Sequence, residues 1–151
     1  MLRAACCVSL ILLVTACAGT ATGVAEPEIK IVQASVVSPA ATHVTGGVPV
    51  EYAMTVKNTS DQPITLKRVD LITQGYGAYT LQPTSKPFDV MIPPGTSQVL
   101  QIMAAADIDV ASMVGANGPV TVRATVQFDS PKGAFRTVVV QQVHANAGLG
   151  S

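Results

Sequence analysis

The stretch VPVEYAMTVK, residues 48–57, alternates its side chains without a break. Val48, Val50, Tyr52, Met54 and Val56 fall on one phase, and Pro49, Glu51, Ala53, Thr55 and Lys57 on the other. A period of two sends the phases to opposite faces of an extended strand, one for a core and one for water. The pattern returns later: Val120, Val122, Ala124, Val126 and Phe128 alternate with Thr121, Arg123, Thr125, Gln127 and Asp129. A helix would scatter both sets around its surface, so the chain is constrained to strands that bury one face.

Other segments repeat the signal in shorter form. Glu28 opens a first strand running to about Val37, followed by a loop over residues 38–47. Asn58–Pro63 (NTSDQP) is rich in turn-forming residues. Beyond it Ile64 and Leu66 share a phase that Val69 and Leu71 abandon, which marks a bulge near Lys67–Arg68. Gly75-Tyr76-Gly77 breaks that run, and short strands follow at Tyr79–Leu81 and Phe88–Ile92. Pro93-Pro94-Gly95 stops the chain. Ser97–Ala104 is apolar on both phases, as in a central strand. Residues 105–118 form a longer connection in which Asp107 would cap a short helical turn through Met113. Asp129–Gly133 is a hairpin loop, Phe135–Val143 the last strand, and residues 145–151 a frayed tail. Seven or eight short strands separated by turns predict an all-β fold, one antiparallel immunoglobulin-like β-sandwich, preceded by a signal peptide and a flexible tether. Only 12% of residues are charged and 4% aromatic, with no Trp. The net charge is zero, so nothing favours nucleic acid.

The N-terminus has a separate logic. Arg3 precedes an apolar run, Ala4–Val14, interrupted only by Ser9. That run is too short to span a bilayer, which takes about 20 apolar residues, and it has the length of a secretory signal core. Val14-Thr15-Ala16-Cys17 follows: an aliphatic residue, two small ones and a cysteine. This tetrapeptide resembles the lipobox of bacterial lipoproteins. The resemblance implies a diacylglycerol thioether on Cys17, cleavage just before it, and an anchored chain in the cell envelope. Ala18 in the next position implies the periplasmic face of the outer membrane where the host has one. An ordinary signal peptide cut near Ala25 is the alternative. The three cysteines are Cys6, Cys7 and Cys17, so a chain beginning at Cys17 has no disulfide to rely on. The 151 residues then divide into a signal peptide 1–16, a lipidated Cys and tether 17–27, a sandwich 28–144 and a tail 145–151.

Two further stretches carry a resemblance. VEYAMTVKNTSDQPITLKRVDL and FDVMIPPGTSQVLQI are similar to the strand–turn–strand segments of bacterial immunoglobulin-like and fibronectin-type modules. Such a likeness implies a fold and leaves function open. Chemistry is sparse. His43 and His144 stand apart from each other. Met54, Met91, Met103 and Met113 prompt comparison with periplasmic copper chaperones, but no His–Met pair sits at short spacing. Asp107-Ile108-Asp109 is a thin calcium signal, and Asn58-Thr59-Ser60 reads as a turn before it reads as a glycosylation sequon. No nucleophile motif is present, so no catalytic residue, metal site or cofactor is expected. The loop bearing Tyr76 and Tyr79 is the candidate binding loop, since sandwich end loops often carry contacts. The reading is a non-enzymatic binding or structural module, held to the membrane by its N-terminus and meeting another envelope protein. The alternative is a metal-handling sandwich.

Overall fold

The computed structural model describes residues 24–34, 47–107 and 119–144. The lipobox residues Val14, Thr15, Ala16 and Cys17 lie outside them, as do His43, Asp109, Met113, the helical turn expected after Asp107 and the tail 145–151. Eight strands form: β1 Glu28–Gln33, β2 Val48–Lys57, β3 Ile64–Thr73, β4 Thr80–Leu81, β5 Thr84–Ile92, β6 Ser97–Asp107, β7 Val120–Ser130 and β8 Gly133–Val143. They make two antiparallel sheets, ordered β1-β2-β6-β4 and β5-β3-β7-β8. This is the immunoglobulin-like order with its first sheet cut short, because β4 contributes two residues only.

The alternating phases do what the sequence requires of them. Val50, Tyr52, Met54 and Val56 are fully buried, and Val120, Val122, Ala124, Val126 and Phe128 face them from the second sheet. Each buried aliphatic side chain contributes about 1.5–3 kcal/mol relative to exposure, so these two strands supply much of the core. The expected bulge is present. The register of β3 shifts between Leu66 and Arg68 against both β5 and β7. The extra residue, Lys67, returns Val69 and Leu71 to the inward phase, and both are fully buried.

Three expectations are corrected. β5 begins at Thr84, not Phe88, and includes Pro87. Proline removes a donor, but β5 is an edge strand and has a ladder on one side only. The β7–β8 hairpin is tighter than a loop over 129–133: the ladder continues to Ser130↔Gly133 and only Pro131 and Lys132 lie outside it. Gly133 has φ of 117°, a conformation costly for any residue with a Cβ. β6 is interior to its sheet, yet it is not buried on both faces. Val99 is 55% and Met103 50% exposed.

The strand ends sort the connections by length. One end, the turn end, holds Asn58–Pro63, Pro93–Thr96 and the β7–β8 hairpin, together with the start of β1. The other, the loop end, holds residues 74–79 and the strand ends that carry segments 35–46 and 108–118. Residues 24–27, read from sequence as the end of a free tether, lie against the turn end: Val24 packs on the core and Thr59 Oγ1 donates to Glu26 O at 2.8 Å.

Candidate functional site

The two stretches that resemble fibronectin-type modules meet at the turn end through Asn58, which is fully buried. Its Nδ2 donates to Gln62 O at 2.8 Å and to Ile92 O at 2.9 Å. Its Oδ1 accepts from Ser60 N at 3.0 Å and lies 2.7 Å from Ser60 Oγ. The main chain of Asn58 completes the junction: Asn58 N donates to Thr96 O and Gly95 N to Asn58 O, both at 2.9 Å. Thr96 N closes on Pro93 O at 3.2 Å with Gly95 at φ 70°, which makes Pro93–Thr96 a type II turn with proline and glycine where that turn favours them. The amide is spent on backbone, so the asparagine is structural and its sequon reading falls away.

At the loop end the candidate tyrosines separate. Tyr76 is fully exposed, and the glycines on either side hold it on a bend with Gly75 at φ 75°. Tyr79 is not an exposed loop residue: it is 5% exposed and points into the core. Its OH donates to Gln33 Oε1 at 2.7 Å and lies 2.6 Å from Tyr52 OH. A hydroxyl has one proton, so Tyr52 donates to Tyr79, and Tyr79 to Gln33. Burial pushes both phenols above their ordinary value, and Tyr52 further because it donates its proton to Tyr79. Tyr52, from the apolar phase of β2, thus joins a polar relay that period-two reading does not reveal.

The methionines do not converge. Met54 is fully buried, Met91 is exposed on β5 of one sheet, and Met103 is exposed on β6 of the other. Among the described residues no group of three or more His, Cys, Asp or Glu side chains is placed to hold a metal ion. Among them, too, no helix is long and apolar enough to cross a membrane. The ion pairs Lys57–Glu28, Lys67–Asp89 and Arg68–Asp70 are solvated. The hydrogen bond from Lys67 to Asp89 raises the Lys67 pKa, but an exposed pair of this kind adds little to stability.

Among the described residues, two shallow depressions stand out on the outer surface. One, of about 390 Å³, runs between Pro83–Lys86 and the Met103–Ala105 stretch of β6. The other, of about 310 Å³, lies by Lys67, Asp129 and Arg136 over the Phe128–Phe135 stack, whose ring centroids are 5.2 Å apart. Neither gathers groups suited to bond-making chemistry.

No protein-family model matches the chain, and no curated protein matches it in sequence. Its fold is similar to solved structures. A Northeast Structural Genomics Consortium target matches over 82% of this chain and 88% of its own, with a TM-score of 0.50 and 19% identity. A Bordetella pertussis protein assigned as ApaA matches over 82% of this chain and 94% of its own, with a TM-score of 0.51 and 14% identity. At such identities the likeness is one of fold alone, and the fold is the β-sandwich described above.

Proposed function

We propose that this chain is an exported lipoprotein of the cell envelope, anchored through Cys17, whose sandwich acts as a non-catalytic binding or structural module for another envelope protein. Where the host has an outer membrane, its periplasmic face is the proposed location. The observation that carries the reading is the Val14-Thr15-Ala16-Cys17 tetrapeptide at the end of an apolar run. The polarity of the sandwich is compatible with it. The described N-terminal residues leave at the turn end, and fully exposed Tyr76 stands at the opposite end. A membrane on the N-terminal side leaves the loop end facing outward. Two or three acyl chains anchor firmly, each buried CH₂ adding about 0.8 kcal/mol.

The intact mass of the protein recovered from membranes tests this, with Cys17→Ala as control. The expected species begins at Cys17 and carries acyl chains, and the control lacks them. An unmodified chain beginning near Glu26 overturns the anchor and makes the domain a freely secreted one. With the anchor in place, cross-linking from Tyr76 in intact cells is expected to capture one dominant envelope protein.

A further inference from the structure

We infer that β6 is an interface strand through which two copies of this chain pair edge to edge. The paired segment is Gln98–Ala104, antiparallel, about a two-fold axis at Gln101. β6 has β2 along one edge for its whole length. On the other edge it has only β4, through Thr80↔Asp107 and Leu81↔Ala106, followed by Gln82 N donating to Ala105 O at 2.8 Å. From Ala104 back to Ser97, no other strand among the described residues pairs with that edge, and only the long 3.4 Å reach of Gln98 Nε2 to Val99 O touches it. An open edge is a row of backbone donors and acceptors, and what fits it is another extended strand.

Two of the other edges carry guards. Gln141 of β8 reaches across to β1 of the facing sheet, where its Oε1 accepts from Ile31 N at 3.0 Å and its Nε2 donates to Ile31 O at 2.8 Å. This amide stands in for a neighbouring strand. The outer edge of β5 carries Lys86 and Pro87, which discourage pairing. Residues 97–106 of β6 contain no charge, no proline and no glycine. Such a segment invites another strand or aggregates.

The arrangement of exposed side chains selects the occupant. Val99 and Met103 stand on the outer face at equal distance in sequence from Gln101. Antiparallel pairing about Gln101 places Val99 opposite Met103 of the second copy, and Met103 opposite its Val99. Gln101 meets Gln101 at the axis, and Leu100 meets Ile102 on the inner face. Both half-exposed apolar side chains gain an apolar cross-strand partner, and no like charges meet. The surface is its own complement, as a two-fold interface requires. The depression beside Met103–Ala105 adjoins one end of this segment and leaves space for the second copy's Val99.

One consequence concerns orientation. Antiparallel strands put the turn end of one copy beside the loop end of the other, so the N-terminal segments leave on opposite sides. The pair therefore forms between copies on facing surfaces or free of any surface, and not between neighbours held by short tethers in one bilayer. Copies anchored side by side do not pair in this way, and oxidation of the purified chain reads the pairing apart from the anchor.

The test uses the full chain purified from the cells that make it, with Gln101→Cys as the reporter. Directly opposed residues of an antiparallel pair have Cα atoms about 4.5–5.5 Å apart, within disulfide reach. Mild oxidation is expected to give a covalent dimer of Gln101→Cys. Val140→Cys, on an equally exposed valine of β8, is expected to stay monomeric. The unsubstituted chain, treated alike, accounts for the native cysteines. By sedimentation, Met103→Glu or Val99→Lys alone is expected to weaken the dimer about tenfold or more, and both in one chain to restore it by setting opposite charges across the axis. A chain that sediments as a monomer throughout the micromolar range overturns the inference. So does a dimer that cross-links through Val140→Cys and not Gln101→Cys.

Discussion

At the turn end one side chain, Asn58, bonds almost entirely to backbone and ties two turns together. At the loop end three side chains from three separate segments, Tyr52, Tyr79 and Gln33, bond to one another. Both networks are buried. The first settles orphan backbone groups where the chain reverses, so its geometry follows from the local turns. The second places polar atoms in an otherwise apolar core, and each member depends on partners that only the finished fold supplies. A backbone-directed network therefore acts as a fastener for the chain path. A side-chain relay acts as a gauge of how β1, β2 and the segment before β4 are aligned with one another.

The largest expected effect comes from breaking the fastener. Asn58→Ala takes the amide's bonds from Ile92 O and Ser60 N, while Gln62 O keeps the Ser60 hydroxyl at 2.8 Å. At about 1–3 kcal/mol for each buried group left unpaired, a loss near 3–4 kcal/mol is expected, read from urea unfolding. A loss below that of Tyr79→Phe would mean that water replaces the amide and that the comparison is inverted.

The relay should respond unequally to its two tyrosines. Tyr79→Phe removes the acceptor of Tyr52 OH and the donor to Gln33 Oε1, and is expected to cost about 2 kcal/mol. Tyr52→Phe leaves the bond from Tyr79 to Gln33 intact and is expected to cost about 1 kcal/mol. The reverse order would show that the protons run the other way. Both phenols are raised in the folded state from an ordinary value of 10.0. The unfolded chain therefore loses phenolic protons first, and stability present below about pH 10 falls as pH climbs above it. The Tyr52→Phe, Tyr79→Phe double substitution should flatten that alkaline limb.

Two smaller effects sharpen the picture. Gln141→Leu removes the amide that covers Ile31 and is expected to cost about 1 kcal/mol, since water reaches the freed edge. Its clearest reading is faster hydrogen exchange at the Ile31 amide with little change at β7. Gln62→Met removes a buried acceptor, Gln62 Oε1, that has no partner, and is expected to raise stability by about 0.5 kcal/mol in thermal unfolding.

The same contrast accounts for what could be read from the chain in advance. β2 and β7 were legible because period-two alternation is local, and the β3 bulge because a phase slip is visible within eight residues. The turns around Asn58 and Gly95 were legible as turns, though not as a joined pair, since their junction spans 34 residues between Asn58 and Ile92. Tyr79 was misplaced because burial in a relay leaves no periodic trace: its partners Tyr52 and Gln33 lie 27 and 46 residues away. β6 read as doubly buried because Val99 and Met103 occupy the outward phase. No rule of local patterning separates a side chain that faces a second sheet from one left facing solvent.

The first strand has a role that its length does not advertise. β1 lies along β2 in six register pairs, from Glu28↔Lys57 to Gln33↔Tyr52. Its hydrogen bonds run across the strand, and residues 24–27 lead into it at the turn end. Whatever holds the chain on its N-terminal side, while something else grips the loop end, pulls β1 lengthwise against β2. Rungs loaded in this direction share the force and must yield together, whereas a strand lifted sideways unzips one rung at a time. Gln141 adds a rivet from the opposite sheet at the middle of the same strand. The part of the fold nearest the N-terminal segment is thus built in the geometry that best resists tension.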